Sequence, residues 1–416
     1  MTRTVAVLAL LAVLSAGAGD FHDWAPTPPM GWNSFDGYGT LVDEAAVRAN
    51  ADWQAAHLLK FGYDTCVVDI RWTVQNETGT NEKYNQKDPV FTLDEWGRYL
   101  PDPKRFPSGF RALADDIHAK GLKFGIHIMR GVPREAARRK LPIKGADGVT
   151  CDQIGDGRDE CSWLKDNWGV DPSKPGAQAY YDSIAELYAG WGVDFIKCDD
   201  MTFYPYHAGE IELLRKAIDR CGRRIVLSLS PGETPLDQAE HVAAHANMWR
   251  IVGDLWDDWG AVDHLTDVAC DWLGKKHVAG AWPDCDMIPL GRLCVRGYDG
   301  ARSSRLTPDE ARYLMTLMAA VRSPLMIGSD LPSLAGDPGT LALLTDPLLL
   351  EMHRDGVEVR CERRTRNDCA IVVRTAAGKT FVALFNRSGE SRWIYAAGES
   401  ETLPPHSAKI KVKEIK

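Results

Sequence analysis

At 416 residues the chain is long enough for two domains, or for one large barrel with an appendage. Hydrophobic residues make up 44% and charged residues 26%, which excludes a disordered or fibrous architecture. Lys and Arg total 49 against 58 Asp and Glu; this net charge of −9, with no basic run, excludes an electrostatic footprint for nucleic acid or an anionic membrane.

Residues 1–18 read as a secretory signal peptide. Arg3 supplies a basic start, residues 5–14 form an apolar run too short to span a bilayer, and Ala16-Gly17-Ala18 offers small residues for cleavage. The expected location is therefore secreted: extracellular, periplasmic or in a lysosome-like compartment. Disulfides form in such places. Cys151 and Cys161 flank a polar, Gly-rich loop and are the first candidate pair, followed by Cys285/Cys294 and Cys361/Cys369. Cys66 and Cys198 sit in apolar runs and read as buried thiols. Asn76-Glu77-Thr78 and Asn386-Arg387-Ser388 are glycosylation sequons.

Residues 19–350 alternate short apolar runs with amphipathic stretches. Strands are predicted over 31–35, 65–72, 123–129, 194–199, 225–230, 248–254, 282–288 and 324–329, and helices over 43–59, 109–120, 175–190, 209–221 and 307–321. The last helix opens on Thr307-Pro308-Asp309-Glu310, a capping box with Pro in the first turn. This alternation predicts an α/β fold, a (β/α)8 TIM barrel. A doubly wound sheet would announce itself by a Gly-rich phosphate turn after the first strand, and Gly31-Trp32-Asn33-Ser34 is no such turn. From 351 to 416 the texture changes to a period of two, with Gly378, Gly389 and Gly398 marking turns. That segment predicts a small C-terminal antiparallel β domain, with strands over 357–364, 369–375, 380–386 and 410–415.

In a barrel of this kind chemistry sits at the C-terminal ends of the strands. The second, fourth and sixth predicted strands run into Asp69, Asp199 and Asp254. Two carboxylates facing each other across a barrel mouth suit glycoside hydrolysis, one attacking the anomeric carbon and the other protonating the leaving oxygen. A strand-end Asp can equally cap the next helix. Lys197, two before Asp199, shares its face and favours an ionised carboxylate. Arg250 stands in the same parity to Asp254. Among 14 tryptophans, Trp32, Trp72, Trp249 and Trp282 lie in strand-end segments, where indole packs on a pyranose or simply on the core. Asp257-Asp258 with Asp263-His264 fits no metal-ligand spacing and reads as a solvated loop entering a helix.

Together these motifs resemble glycoside hydrolase family 27, the α-galactosidase family. The resemblance rests on Pro28-Pro29-Met30-Gly31-Trp32-Asn33-Ser34, Arg105-Phe106-Pro107-Ser108-Gly109, Gly121-Leu122-Lys123-Phe124-Gly125-Ile126-His127, Lys197-Cys198-Asp199, Trp249-Arg250 with Asp254, and Trp282-Pro283-Asp284-Cys285-Asp286-Met287, in family order. It implies Asp199 as nucleophile and Asp254 as acid/base. It also implies Trp32, Asp69, His127 (where many members have Tyr), Lys197, Arg250 and Asp286 as the lining of the sugar subsite, with Met287 beside them. It implies a retaining enzyme that needs no cofactor and removes single terminal sugars. Two departures stand out. Asp69-Ile70 replaces the usual adjacent pair of aspartates, and Leu227-Ser228-Leu229-Ser230-Pro231-Gly232 replaces the Cys-Glu-Trp type of segment. Both match members acting on β-L-arabinopyranosides, a ring equivalent to galactose without its hydroxymethyl carbon. Ile70 and Ser228 are therefore expected to set specificity. The expected partner is a terminal α-D-galactoside or β-L-arabinopyranoside of an oligosaccharide, polysaccharide or glycoconjugate, without nucleic acid or membrane; an oligomer is compatible with the sequence. A sugar-binding barrel without catalysis, and a transglycosylase, stay open as alternatives.

Overall fold

The computed structural model describes residues 20–79, 86, 88–275, 278–297 and 299–413; the predicted signal peptide lies outside them. The barrel strands are β1 (Met30–Asn33), β2 (Thr65–Val68), β3 (Lys123–Met129), β4 (Phe195–Asp199), β5 (Val226–Leu229), β6 (Met248–Arg250), β7 (Trp282–Asp284) and β8 (Leu325–Ile327). All pair in parallel, in the order β7-β6-β5-β4-β3-β2-β1-β8. The ring closes just beyond β7, where Ile288 bridges Ile327 and its N–H donates to the Met326 carbonyl at 2.7 Å.

Alternation along these short strands sorts their side chains. Val67, Phe195, Val226, Met248, Trp282 and Met326 pack together inside the ring. The other parity, with Trp32, Cys66, Val68, Phe124 and Ile126, joins the large core between ring and helices. At Gly31 the first two strands come too close for a side chain: a Cβ there would lie 2.0 Å from the Thr65 carbonyl oxygen. The outer helices are α1 (Glu44–His57), α2 (Gly109–Ala119), α3 (Ala177–Trp191), α4 (Ala208–Arg220), α5 (Ala239–Ala243), α6 (Trp259–Leu273), α7 (Pro308–Ala320) and α8 (Pro347–Asp355). The capping box at Thr307 forms, its N–H donating to Glu310 at 2.9 Å and its hydroxyl accepting from the Glu310 N–H at 3.3 Å. Asp258 caps α6 by accepting from the Ala261 N–H at 3.1 Å, whereas Asp257 is buried and paired with Arg302 rather than solvated.

Leu350 falls inside α8, and the β segment starts at Gly356. Its strands are β9 (Gly356–Arg364), β10 (Asp368–Thr375), β11 (Thr380–Asn386), β12 (Arg392–Ala396), β13 (Glu399–Leu403) and β14 (Ser407–Lys413). They make a four-stranded antiparallel sheet, β9-β10-β11-β14, and a separate β12-β13 pair. Between the two sheets lie Ala370, Val372, Val382, Leu384, Ile394 and Leu403. The opposite face, with Cys369, Ile371, Val373, Phe381 and Phe385, merges with the barrel core. Polar clamps reinforce this junction: the buried Arg387 holds Asp267 at 2.8 Å and Asp263 at 2.6 Å, both on α6.

Cys66 and Cys198 are buried thiols, as expected, but none of the three expected disulfide pairs is bonded, and all ten cysteines are free thiols. After Cys151 the chain pairs Gly155–Asp156 antiparallel with Gly169 and Val170, and the two thiols point to different surroundings. Cys151 ends at the Trp96 carbonyl, while Cys161 packs against Ile70 and Leu164. Cys285 sinks into the core. Cys361 and Cys369 do approach one another, in company with Cys270 from α6. The sequon at Asn386 is also discounted: its buried side-chain amide donates to the carbonyls of Glu390, Leu403 and Pro404.

Candidate active site

Asp199 ends β4, and the strand's alternation lays Lys197 beside it on the inner face. The Lys197 ammonium donates to Asp69 at 2.9 Å and lies 3.9 Å from Asp199. Asp69 also accepts from the Asn33 amide at 2.7 Å and from the Ile70 N–H at 2.8 Å. Asp199 accepts a 2.6 Å hydrogen bond from Ser230 at one oxygen, and His127 Nε2 stands 3.1 Å from the other. Burial works to raise the Asp199 carboxyl, but Lys197 and then His127 outweigh it and hold it well below the ordinary range. Asp69 is lowered in the same way, against its burial, chiefly by Lys197. Lys197 in turn stays protonated despite burial, because Asp199 and Asp69 face it.

The other half of the mouth has the opposite balance. Arg250 ends β6 and contacts Asp286 at 2.7 Å and Asp254 at 3.1 Å. Asp286 also accepts the Leu255 N–H at 2.7 Å, from a left-handed backbone conformation (φ 79°) just past β7. One guanidinium here serves Asp254, Asp284 and Asp286, so negative charge is in excess. Burial raises Asp286, and the neighbouring Asp254 and Asp284 add to it against Arg250, pushing it up to about 7. Asp36 is raised well above the carboxylate range by burial and then by Asp286 and Asp254. Asp199 is thus held ionised on one side of the mouth, while Asp286 and Asp36 hold protons more readily on the other.

Between the halves opens a cavity of about 300 Å3, lined by Asp69, Lys197, Asp199, Arg250 and Asp254 and walled by Phe35, Ile70, Trp163, Phe203 and Met287. Asp254 stands at the rim with 61% of its side chain exposed. Ile70 belongs to an apolar cluster with Phe35, Trp163, Leu164 and Cys161.

Among the sequence candidates, Asp69, Ile70, Lys197, Asp199, Arg250, Asp254 and Met287 line this cavity. His127 and Asp286 support it from just behind, through Asp199 and Arg250. Two candidates are corrected. Trp32 points outward between β1 and the helices, donating its indole N–H to the Ser329 carbonyl at 2.8 Å. The ring on the cavity is Phe35, which continues the inward parity of Asn33. Ser228 lies one layer deeper, beside a void of about 20 Å3, and the serine touching Asp199 is Ser230. Trp163 and Phe203 come from long loops after β3 and β4, which carry no periodic signal.

A barrel filled below and opening above onto facing acidic groups suits the chemistry of glycoside hydrolysis. The chain belongs to the α-galactosidase family: the family profile described as alpha galactosidase A matches residues 27–136 and 170–355. It is 27% identical over 405 residues to the alpha-galactosidase A of Cellvibrio japonicus, covering 92% of this chain and 82% of that one. A glycoside hydrolase family 27 β-L-arabinopyranosidase from Geobacillus stearothermophilus superposes with a TM-score of 0.89 at 41% identity, covering 94% of this chain and 97% of that one. A single-site variant of that enzyme, 40% identical to this chain, is known in complex with arabinose. α-Galactosidase I from Mortierella vinacea, at 20% identity and a TM-score of 0.67, covering 93% of this chain and 96% of that one, shares the fold. The protein is thus a glycoside hydrolase, and its substrate is a glycoside.

Proposed function

We propose that the protein is an exported, retaining exo-glycosidase for terminal galacto-configured sugars, with β-L-arabinopyranosides preferred over α-D-galactopyranosides. Asp199 attacks C1 as the bond to the leaving oxygen breaks, and Asp254 gives that oxygen its proton. The ionised Asp254 then takes a proton from water, which attacks C1 and frees the sugar and Asp199. Lys197 and His127 keep the nucleophile ionised, and Asp69, with Lys197, offers polar contacts to ring hydroxyls. Export rests on the leader-like residues 1–18.

The observation carrying the sugar preference is the wall formed by Ile70 with Phe35 and Trp163. A hydroxymethyl hydroxyl set against it would lose its water without gaining a partner, whereas the arabinopyranose ring has no such group. The likeness to an arabinopyranosidase supports the same reading. The test compares kcat/KM on nitrophenyl β-L-arabinopyranoside and nitrophenyl α-D-galactopyranoside. A clear advantage for the arabinoside is expected, and Ile70→Asp should shift the ratio toward galactoside by roughly 10–100-fold. A wild-type preference for galactoside would overturn the sugar assignment.

A further inference from the structure

Away from the cavity, α6 meets the first hairpin of the β segment at a cluster of sulfur. Cys270 comes from the last turns of α6, Cys361 from β9 and Cys369 from the start of β10. The Cys270 and Cys369 sulfurs are 3.7 Å apart, and all three lie within 4.8 Å of one another. Cys270 and Cys369 are buried, and Cys361 is partly exposed. The hairpin is shaped for this meeting. Cys361 pairs with Ile371, on the face that carries Cys369 toward the barrel, and a register shift follows immediately between Cys361 and Arg363.

We propose that Cys270, Cys361 and Cys369 form a three-thiolate site for a zinc-class metal ion, joining helix α6 to the β9–β10 hairpin. Zinc–thiolate bonds of about 2.3 Å in tetrahedral geometry set sulfurs ~3.75 Å apart, close to the separation of Cys270 and Cys369. A disulfide would need ~2.05 Å between two sulfurs and would leave the third without a role. Zinc with three thiolates carries one net negative charge, and a cation is at hand. Arg364, three residues beyond Cys361, is held by Asp271, the neighbour of Cys270, at 2.7 Å and by the Asp267 carbonyl at 2.7 Å. Binding releases the thiol protons, and the fourth position of the ion is left to water, which the partial exposure of Cys361 admits.

The site is tested on the full chain, purified in a phosphine reductant and dialysed against zinc, with cobalt(II) as the spectroscopic probe. Expected are about one metal per chain, a thiolate-to-cobalt charge-transfer band, and a melting temperature that rises with zinc and falls on chelation. Cys361→Ser, a near-isosteric change at the most exposed ligand, should weaken metal binding by at least the ~10–100-fold that loss of an outer-shell partner costs, with turnover of nitrophenyl glycosides unchanged. Three results would overturn the site: less than a tenth of an equivalent, on the order of background, in reduced wild-type protein at saturating zinc; equal affinity in Cys361→Ser; or a disulfide between two of the three cysteines in protein purified without reductant.

Discussion

Lys197, on β4, bonds Asp69, just past the end of β2, at 2.9 Å over the intervening strand β3. The same ammonium lies 3.9 Å from Asp199, so one largely buried cation serves two carboxylates on opposite sides of β3. Replacing it should therefore alter the pH profile as well as binding. In Lys197→Met, Asp199 keeps its burial and loses its chief source of positive potential, so its pKa rises. The acid limb of kcat/KM should move upward by roughly 1–3 pH units. An unmoved limb would show that Lys197 does not govern the ionisation of the nucleophile.

Asp199→Asn keeps the side-chain shape and the oxygen that accepts from Ser230. Turnover should fall by at least about 10^3-fold, as when other enzymes lose a nucleophile. The circular dichroism spectrum and melting temperature should stay near those of wild type. Activity close to normal would remove Asp199 from its role.

Asp254→Ala should discriminate between substrates by their leaving groups. Dinitrophenyl glycosides need little protonation as they depart and should still form the glycosyl-enzyme, whereas alkyl glycosides should be nearly inert. A burst of dinitrophenol followed by slow steady turnover is the expected trace. Equal losses on both substrates would argue against an acid role.

Asp286 makes a prediction about stability. Its folded pKa of about 7 lies above the ordinary carboxyl value, so the native protein holds a proton that the unfolded chain has released. The resulting stabilisation is fully present below about pH 4 and is lost as pH rises through the folded value. Asp286→Asn is neutral throughout. Its melting temperature, relative to wild type, should climb between about pH 5 and about pH 8. A difference that stays flat over that range would mean that Asp286 does not titrate there.

Much of this was legible in the sequence. Each barrel strand lies within or next to its predicted run, because period-two alternation and a following helix mark it twice over. The predicted runs extend too far at their C-terminal ends. Residues 69–72, 251–254 and 285–288 leave the ladder to aim Asp69, Asp254 and Asp286 at the mouth, and hydropathy does not register where hydrogen bonding stops. The same blind spot exchanged Trp32 for Phe35: an aromatic residue in a motif draws attention, but the inward parity of Asn33 passes to residue 35. It also exchanged Ser228 for Ser230, which share a face and differ only in depth. The β12–β13 pair went unread because Trp393 and Tyr395 face solvent, 64% and 55% exposed, so its apolar residues do not mark a buried face. Cys270 could not be joined to Cys361 and Cys369 by spacing, since a helix of the barrel brings it there.

The packed floor of Val67, Phe195, Val226, Met248, Trp282 and Met326 closes the barrel beneath the cavity. In the proposed reaction the sugar sits innermost and the aglycone stands between it and solvent. Departure must then be ordered, aglycone first and monosaccharide last. Free monosaccharide therefore meets the same empty enzyme that substrate does, and should inhibit competitively. The aglycone meets the glycosyl-enzyme instead, where it can only reverse the step that released it.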